Sequence, residues 1–310
     1  MQKLITIIGP TATGKTALAT HVAAQIGGEI ISADSRQIYR GMDLGTGKDL
    51  DEYVVNGKPI PYHIIDIRDA GYKYNLFEYQ RDFVTAYSDI TSRGATPILC
   101  GGTGLYIEAV LKGYRLIEVP VNESLRKQLK DKNLLELSAI LDNYPDYHRH
   151  NITDVDTVKR AIRAIEIADY YAHNTKTDDA DYPEFEPIII MVDISRETRR
   201  QRISDRLQAR LNSGMVDEVR QLLDSGIAPD DLIYYGLEYR FLTEYLTGQY
   251  DFDTMKERLE IAIHQFSKRQ MTWFRGMQRR GYRLLYIDGE QNLEKRVAQT
   301  MEILREQGIE

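Results

Sequence analysis

A chain of 310 residues with 42% hydrophobic and 28% charged side chains can bury a full core, as one large domain or two. A net charge of −7 and a pI near 5.5 exclude a global nucleic-acid footprint. The single cysteine, Cys100, excludes intrachain disulfides and cysteine-based metal clusters. The chain enters a strand at once, with no signal peptide, and no apolar run is long enough to span a membrane. A cytosolic setting with no membrane partner is expected.

In chain order, residues 3–8 read as a buried strand and 15–26 as a helix. Between them lies Gly9-Pro10-Thr11-Ala12-Thr13-Gly14-Lys15-Thr16, a full match to G-x-x-x-x-G-K-[ST]. A strand feeding a glycine loop that opens a helix aims backbone N–H groups and a helix N-terminus at one point, which suits a diphosphate or triphosphate. Lys15 would reach terminal phosphate oxygens and the Thr16 hydroxyl would ligate Mg²⁺.

Residues 29–33 read as a second strand ending at Asp34, 62–67 as a third and 96–100 as a fourth, running into Gly101-Gly102-Thr103-Gly104. Residues 76–93 have helical periodicity. This alternation predicts an α/β fold, a P-loop NTPase-like parallel sheet flanked by helices. Ligands then collect at the carboxyl ends of the strands, where the glycine loop, Asp34, Asp66 and the second glycine loop all fall.

From about residue 119 the texture turns helical, with 123–143 and 153–172 as helices and Thr153 with Asp156 as a capping-box start. Val155, Val158, Ile162 and Ile165 form the expected apolar stripe. A polar loop follows, and residues 187–193 return to the sheet. The predicted organisation is residues 1–118 as the first part of the core, 119–186 as an all-helical insertion, and 187–310 as the second part with C-terminal helices.

The next helix carries Arg202, Arg206 and Arg210 at i+4 spacing with only Asp205 as a nearby acid, a row that calls for an anion. Further helices are expected at 215–225, near 235–246 and at 253–279, with a last strand at 282–287. Residues 265–287 hold no acid but Lys268 and five arginines, a local basic surface suited to one docked partner. Trp273 within it is either a base-stacking residue or core.

On position alone Asp34 is either a base or metal-side ligand, or a turn residue; Asp66 and Asp193 both end apolar strands, as a Walker-B aspartate would. A P-loop kinase and an enzyme that holds a diphosphate as leaving group both satisfy these features.

The glycine loop, the run Ile31-Ser32-Ala33-Asp34-Ser35-Arg36-Gln37-Ile38-Tyr39-Arg40-Gly41-Met42-Asp43-Leu44-Gly45-Thr46, the segments His63-Ile64-Ile65-Asp66-Ile67 and Gly101-Gly102-Thr103-Gly104-Leu105-Tyr106, then Arg160-Ala161-Ile162-Arg163-Ala164-Ile165-Glu166 and Lys268-Arg269-Gln270-Met271-Thr272-Trp273-Phe274-Arg275 closely resemble the tRNA dimethylallyltransferase family. They keep family order and spacing over nearly the whole chain.

The resemblance implies transfer of a dimethylallyl group from dimethylallyl diphosphate to N6 of the adenosine 3′ of the anticodon. It makes Asp34, Lys15, Arg206 and Thr103 catalytic. Diphosphate falls to Gly9, Thr11, Ala12, Thr13, Gly14, Lys15 and Thr16, with Mg²⁺ on Thr16. Asp34, Ser35, Arg36, Gln37 and Thr103 would receive the adenine. Lys159, Arg160, Arg163, Gly236, Lys268, Arg269 and Arg275 would contact the anticodon stem-loop, and no protein partner is implied.

Transfer to free adenine nucleotides is the alternative, with a small-molecule kinase behind it. Three segments depart from the family pattern. Gly236-Leu237-Glu238-Tyr239 replaces Gly-Tyr-Lys/Arg-Glu/Gln, Tyr62-His63 replaces His-His, and Gly45-Thr46-Gly47-Lys48-Asp49 replaces Gly-Thr-Ala-Lys-Pro. The expectation is an intact diphosphate site with an altered grip on tRNA.

Overall fold

Alternating side chains decide the architecture. In β1 (Gln2–Ile8), Leu4 and Ile8 face one core while Ile5 and Ile7 face another, the period-two pattern of a strand buried on both faces. The computed structural model describes residues 2–114, 116, 118–144, 155–174 and 182–309. Two compact units emerge, residues 1–114 with 182–310, and residues 115–181.

In the larger unit α1 (Lys15–Ile26) leaves the phosphate loop, and β2 (Gly28–Ala33) returns to the sheet. A surface excursion follows, made of β3 (Tyr39–Arg40), a 3-10 turn (Leu50–Tyr53), β4 (Val54–Val55), β5 (Lys58–Pro59), β6 (Tyr62–His63) and β7 (Arg68–Asp69). Then come α2 (Leu76–Ser92), β8 (Thr96–Gly101) and α3 (Gly104–Lys112).

The smaller unit contains α4 (Glu123–Leu129), α5 (Leu134–Leu141) and α6 (Val158–His173). The chain re-enters the larger unit through β9 (Phe185–Asp193), α7 (Arg196–Asn212), α8 (Met215–Asp224), α9 (Pro229–Tyr234), α10 (Leu237–Leu246), α11 (Phe252–Arg279), β10 (Leu284–Asp288) and α12 (Leu293–Glu306).

Among the described residues the main sheet has the order β10-β9-β1-β8-β2-β6, and every neighbouring pair is parallel. α1 and α12 cover one face through Leu18, Val22, Val297 and Met301. The other face is covered from α2, α3, α7 and α11 by Phe83, Ile107, Leu207 and Phe274. Each such side chain taken from water contributes about 1.5–3 kcal/mol. The phosphate loop leaves β1 between β8 and β9, and β1 connects to β2 across β8, so the ligand crevice opens at the carboxyl ends of these strands.

Several elements differ from the sequence expectation. The third strand stops after Tyr62–His63, because Ile64 and Asp66 take φ of 61° and 56° and turn the chain off the sheet. The expected helix over 123–143 breaks in two, because the Asn133 side chain accepts the N–H groups of Leu135 and Glu136 in a capping box and starts α5 afresh. Thr157 caps α6 by accepting from Arg160 N–H; Thr153, the expected cap, lies outside the described residues.

Beginning at Val158, α6 buries Ala161, Ala164, Ile165 and Ala168 against Leu129, Leu137 and Leu141, while Val158 is exposed. Of the expected stripe, Ile165 is buried and Val155 and Ile162 pack against the same core, so Val158 alone falls outside it. The helix expected near 235–246 is α10, which starts after Gly236 at φ 74°, and α9 ahead of it is an additional turn of helix. β9 begins at Phe185, whose partner is Gln2, ahead of the expected Pro187. Among the described residues no helix is long and apolar enough to cross a membrane.

Candidate active site

The phosphate loop is shaped by two left-handed residues, Ala12 at φ 66° and Gly14 at φ 75°, which curl successive N–H groups towards one concavity. Gly9 is required by crowding, since a Cβ there would lie 2.7 Å from the Val192 carbonyl oxygen. The Thr13 hydroxyl donates to the Pro10 carbonyl at 3.0 Å and braces the loop from within. Lys15 and Thr16 open α1.

Of the arginine row on α7, Arg206 alone meets the loop, donating to the Thr11 hydroxyl. Burial, then the neighbouring Arg210, lower its pKa to about 10, so it stays cationic at neutral pH. Arg202 donates to the Gly289 carbonyl at 3.3 Å. Arg210 pairs with Asp49 at 3.0 Å. The row is thus less bare of acid than local spacing suggested, because its partner comes from 161 positions away.

Asp34 leaves β2 at the same edge. One carboxylate oxygen accepts the Arg36 N–H at 3.0 Å, which is the turn role. The other has no hydrogen-bond partner among the described residues, which leaves it available as a base. The Thr103 N–H donates to the Ala33 carbonyl at 3.1 Å and its hydroxyl accepts the Ser35 N–H at 3.0 Å, so the two loops lock together. Gln37 is buried and donates to the Gly47 carbonyl at 3.1 Å. Arg36 lies 6.0 Å from the Tyr235 ring, beside Gly236.

The two other candidate carboxylates are engaged elsewhere. Asp66 is off the sheet and ion-paired with Lys48, which is 1% exposed and also holds Asp43 at 2.6 Å. Asp193 does end β9, but it accepts the Ile194 N–H at 2.9 Å and faces Arg199 at 3.6 Å.

A carboxylate the sequence reading missed, Glu52 on the 3-10 turn, lies within electrostatic reach of Lys15, Arg206 and Arg210, and burial raises its pKa. No local motif marked it. Glu238 is shifted the same way by burial and lies in the field of Arg210, Arg206 and Asp34. The acid in this departure from the family pattern thus lies within electrostatic reach of Arg210, Arg206 and Asp34 together. Cys100, behind the loop, is pushed up to about 12 by burial and stays a thiol.

The Mg²⁺ implied by the resemblance can be weighed against the donors present. The Thr16 hydroxyl, at the first turn of α1, has no hydrogen-bond partner among the described residues and offers one hard oxygen ligand. Few protein ligands and room for water and phosphate oxygens suit Mg²⁺. The residues fit.

Residues expected on tRNA divide. On α11, Lys268, Arg269 and Arg275 are exposed. In the smaller unit Lys159 is exposed and Arg160 is exposed and paired with Asp156, whereas Arg163 bonds to the Val119 carbonyl at 2.8 Å and to Glu166 at 3.2 Å. Trp273 is half-buried, its ring packed where a Gly104 side chain would lie and covered by Arg280 at 5.6 Å. It is core rather than a stacking platform.

Residues 37–277 match the family model described as IPP transferase, and residues 2–60 that described as Isopentenyl transferase. The chain is 60% identical to tRNA dimethylallyltransferase 2 of Bacteroides fragilis over 303 residues, 98% of each chain. It is also 60% identical to tRNA dimethylallyltransferase 1 of Parabacteroides distasonis over 308 residues, again 98% of each.

The chain belongs to the tRNA dimethylallyltransferase family.

A solved tRNA isopentenylpyrophosphate transferase from Bacillus halodurans superposes with a TM-score of 0.71 at 27% identity, over 98% of this chain and 96% of that one. A eukaryotic dimethylallyltransferase acting on tRNA shares the fold, with a TM-score of 0.76 at 22% identity over 97% of this chain and 78% of its own. Within the dimethylallyltransferase fold, the phosphate loop, Arg206, Asp34 and Thr103 of this chain occupy one strand edge.

Proposed function

We propose that the chain transfers a dimethylallyl group from dimethylallyl diphosphate to N6 of the adenosine next to the anticodon of tRNA, releasing diphosphate. The observation that carries this is the open carboxylate oxygen of Asp34, fixed through Thr103 at the sheet edge that also holds the phosphate loop and Arg206. Relatives at 60% identity are named for the same reaction.

The exocyclic amine attacks the allylic C1 while the C1–O bond to diphosphate breaks, and Asp34 accepts the amine proton. Negative charge grows on the departing diphosphate. Loop N–H groups, Lys15 and Arg206 face that charge without having to reorganise. Mg²⁺, held by Thr16, would add further charge stabilisation when bound. Thr103 and the turn from Ser35 to Gln37 would seat the adenine, which has to leave its stack to enter. Lys159 and Arg160 on the smaller unit, with Lys268, Arg269 and Arg275 on α11, suit phosphates of the anticodon stem.

The test is transfer of labelled dimethylallyl diphosphate to unmodified tRNA and, in parallel, to AMP. Label is expected on tRNA alone. Asp34→Ala should lower the rate by about 10²–10⁴-fold, the usual worth of a general base. Label on AMP would move the acceptor to free nucleotides, and ATP hydrolysis with no label on either would return the site to a kinase.

A further inference from the structure

The phosphate loop and the loop that carries Thr103 are joined by one side chain. The Gln270 amide, on α11 and 8% exposed, uses both of its ends. Its Oε1 accepts the Thr11 N–H at 2.9 Å and its Nε2 donates to the Gly102 carbonyl at 2.9 Å. From Gly102 the connection continues through the Thr103 hydroxyl and the Ser35 N–H to the turn that holds Asp34. A hydrogen-bonded route thus links the diphosphate cradle to the carboxylate at the acceptor side.

The surroundings are built for this strap. A Cβ on Gly102 would fall 2.6 Å from Gln270 Nε2, so any side chain at 102 would displace the amide. One turn further along α11, Trp273 fills the space of a Gly104 side chain, with a Cβ–Cδ1 distance of 2.2 Å. Two side chains of one helix therefore hold both ends of the loop 101–104 by contacts that only glycine permits.

We propose that Gln270 is a positioning residue for the transfer, setting the distance between the departing diphosphate and the amine that Asp34 deprotonates. This rests on the function proposed above. Gln270 lies in a basic stretch, but it is buried and both ends of its amide bond within the protein, so it is turned away from any RNA surface. The strap also consumes the Thr11 N–H, so the diphosphate draws on the N–H groups of residues 12–16 and Thr11 serves through its hydroxyl and Arg206. Reacting groups must be held to within a fraction of an ångström, and a misplacement of about 1 Å costs about 10²-fold in rate.

The experiment compares wild type, Gln270→Met and Gln270→Glu in single-turnover transfer at saturating tRNA and dimethylallyl diphosphate, with tRNA affinity and melting temperature measured alongside. Gln270→Met keeps the length and removes both hydrogen bonds. It should lower the saturated rate by about 10²-fold with tRNA affinity unchanged. Gln270→Glu keeps the acceptor for Thr11 but regains a donor to Gly102 only when its carboxyl is protonated. Its rate relative to wild type at the same pH should therefore climb as pH falls.

An unchanged saturated rate in Gln270→Met would overturn the proposal. So would lost tRNA affinity at an unaltered rate, which would make Gln270 a tRNA contact. A lower melting temperature with full rate per folded molecule would reduce it to scaffold. If Gln270→Met does not fold, a pH-independent ratio for Gln270→Glu overturns the proposal by itself. A wild-type chain that labels no tRNA would sink the function reading instead, and that result does not depend on either variant.

Discussion

Two departures from the family pattern, Gly47 and Asp49, have one explanation at the scale of single residues. Gly47 has φ 66°, and a Cβ there would lie 2.2 Å from Arg210 Nη2. Asp49, two residues on, is the partner of that guanidinium. The bare backbone at 47 lets Arg210 reach Asp49, and the pair holds Arg210 beside Arg206. Gly47→Ala should push Arg210 off Asp49 and cost about 2 kcal/mol, from the left-handed backbone and the overpacking together. Arg210→Ala in the same chain removes the collision and should restore part of that loss. Denaturant titration of the single and double variants checks this, and an unchanged midpoint in Gly47→Ala would refute it.

At the scale of elements, the excursion between β2 and α2 shows how a buried charge organises irregular backbone. Lys48 donates to the Tyr39 carbonyl at 2.6 Å and holds Asp43 and Asp66, tying the turn after β3 to the segment that leaves β6. An ammonium this buried is tolerated because each of its donors is used. Lys48→Met removes the buried charge and leaves Asp43 and Asp66 partly open to water, so the lost hydrogen bonds should cost about 1–3 kcal/mol. It should also slow transfer, because the Gln37 amide bonds to Gly47 within the same excursion. Thermal unfolding and single-turnover rates test the two parts. A variant as stable as wild type would show that the network is dispensable.

At the scale of the whole molecule, the sheet edge is closed by an ion cluster from three elements. Glu29 of β2 accepts from Arg93 at the end of α2 and lies 2.7 Å from His63 Nε2 in β6. The Arg93 hydrogen bond, aided by His63 and against the opposing effect of burial, holds the Glu29 carboxyl below its ordinary value of 4.5. A carboxyl with a depressed folded pKa stabilises in its ionised form. That contribution is complete above 4.5 and disappears as pH falls through the lowered value. Glu29→Gln should therefore cost about 2 kcal/mol at pH 7 and flatten the loss of stability in acid. Equal acid limbs for variant and wild type would remove Glu29 from that account.

Local pattern determined much of this protein. A glycine loop between an apolar strand and a breaker-free helix needs no distant partner, and α1 spans Lys15–Ile26 as the sequence implied. The alternation of strands and helices set the parallel sheet and so placed the phosphate loop, Asp34 and Thr103 at one edge. What only tertiary structure decided were partners remote in sequence. Gln270 reaches Thr11 across 259 positions, and Asp49 meets Arg210 across 161. Asp66 reads as a strand-end acid until Ile64 and Asp66 turn left-handed and Lys48 captures it. Glu52 carries no motif and Glu238 only a departure from one, and folding alone brings them into the field of the arginines. Spacing along a chain reports periodicity and turn chemistry over a few residues, whereas the compensation of buried charge depends on which segments the sheet order brings together.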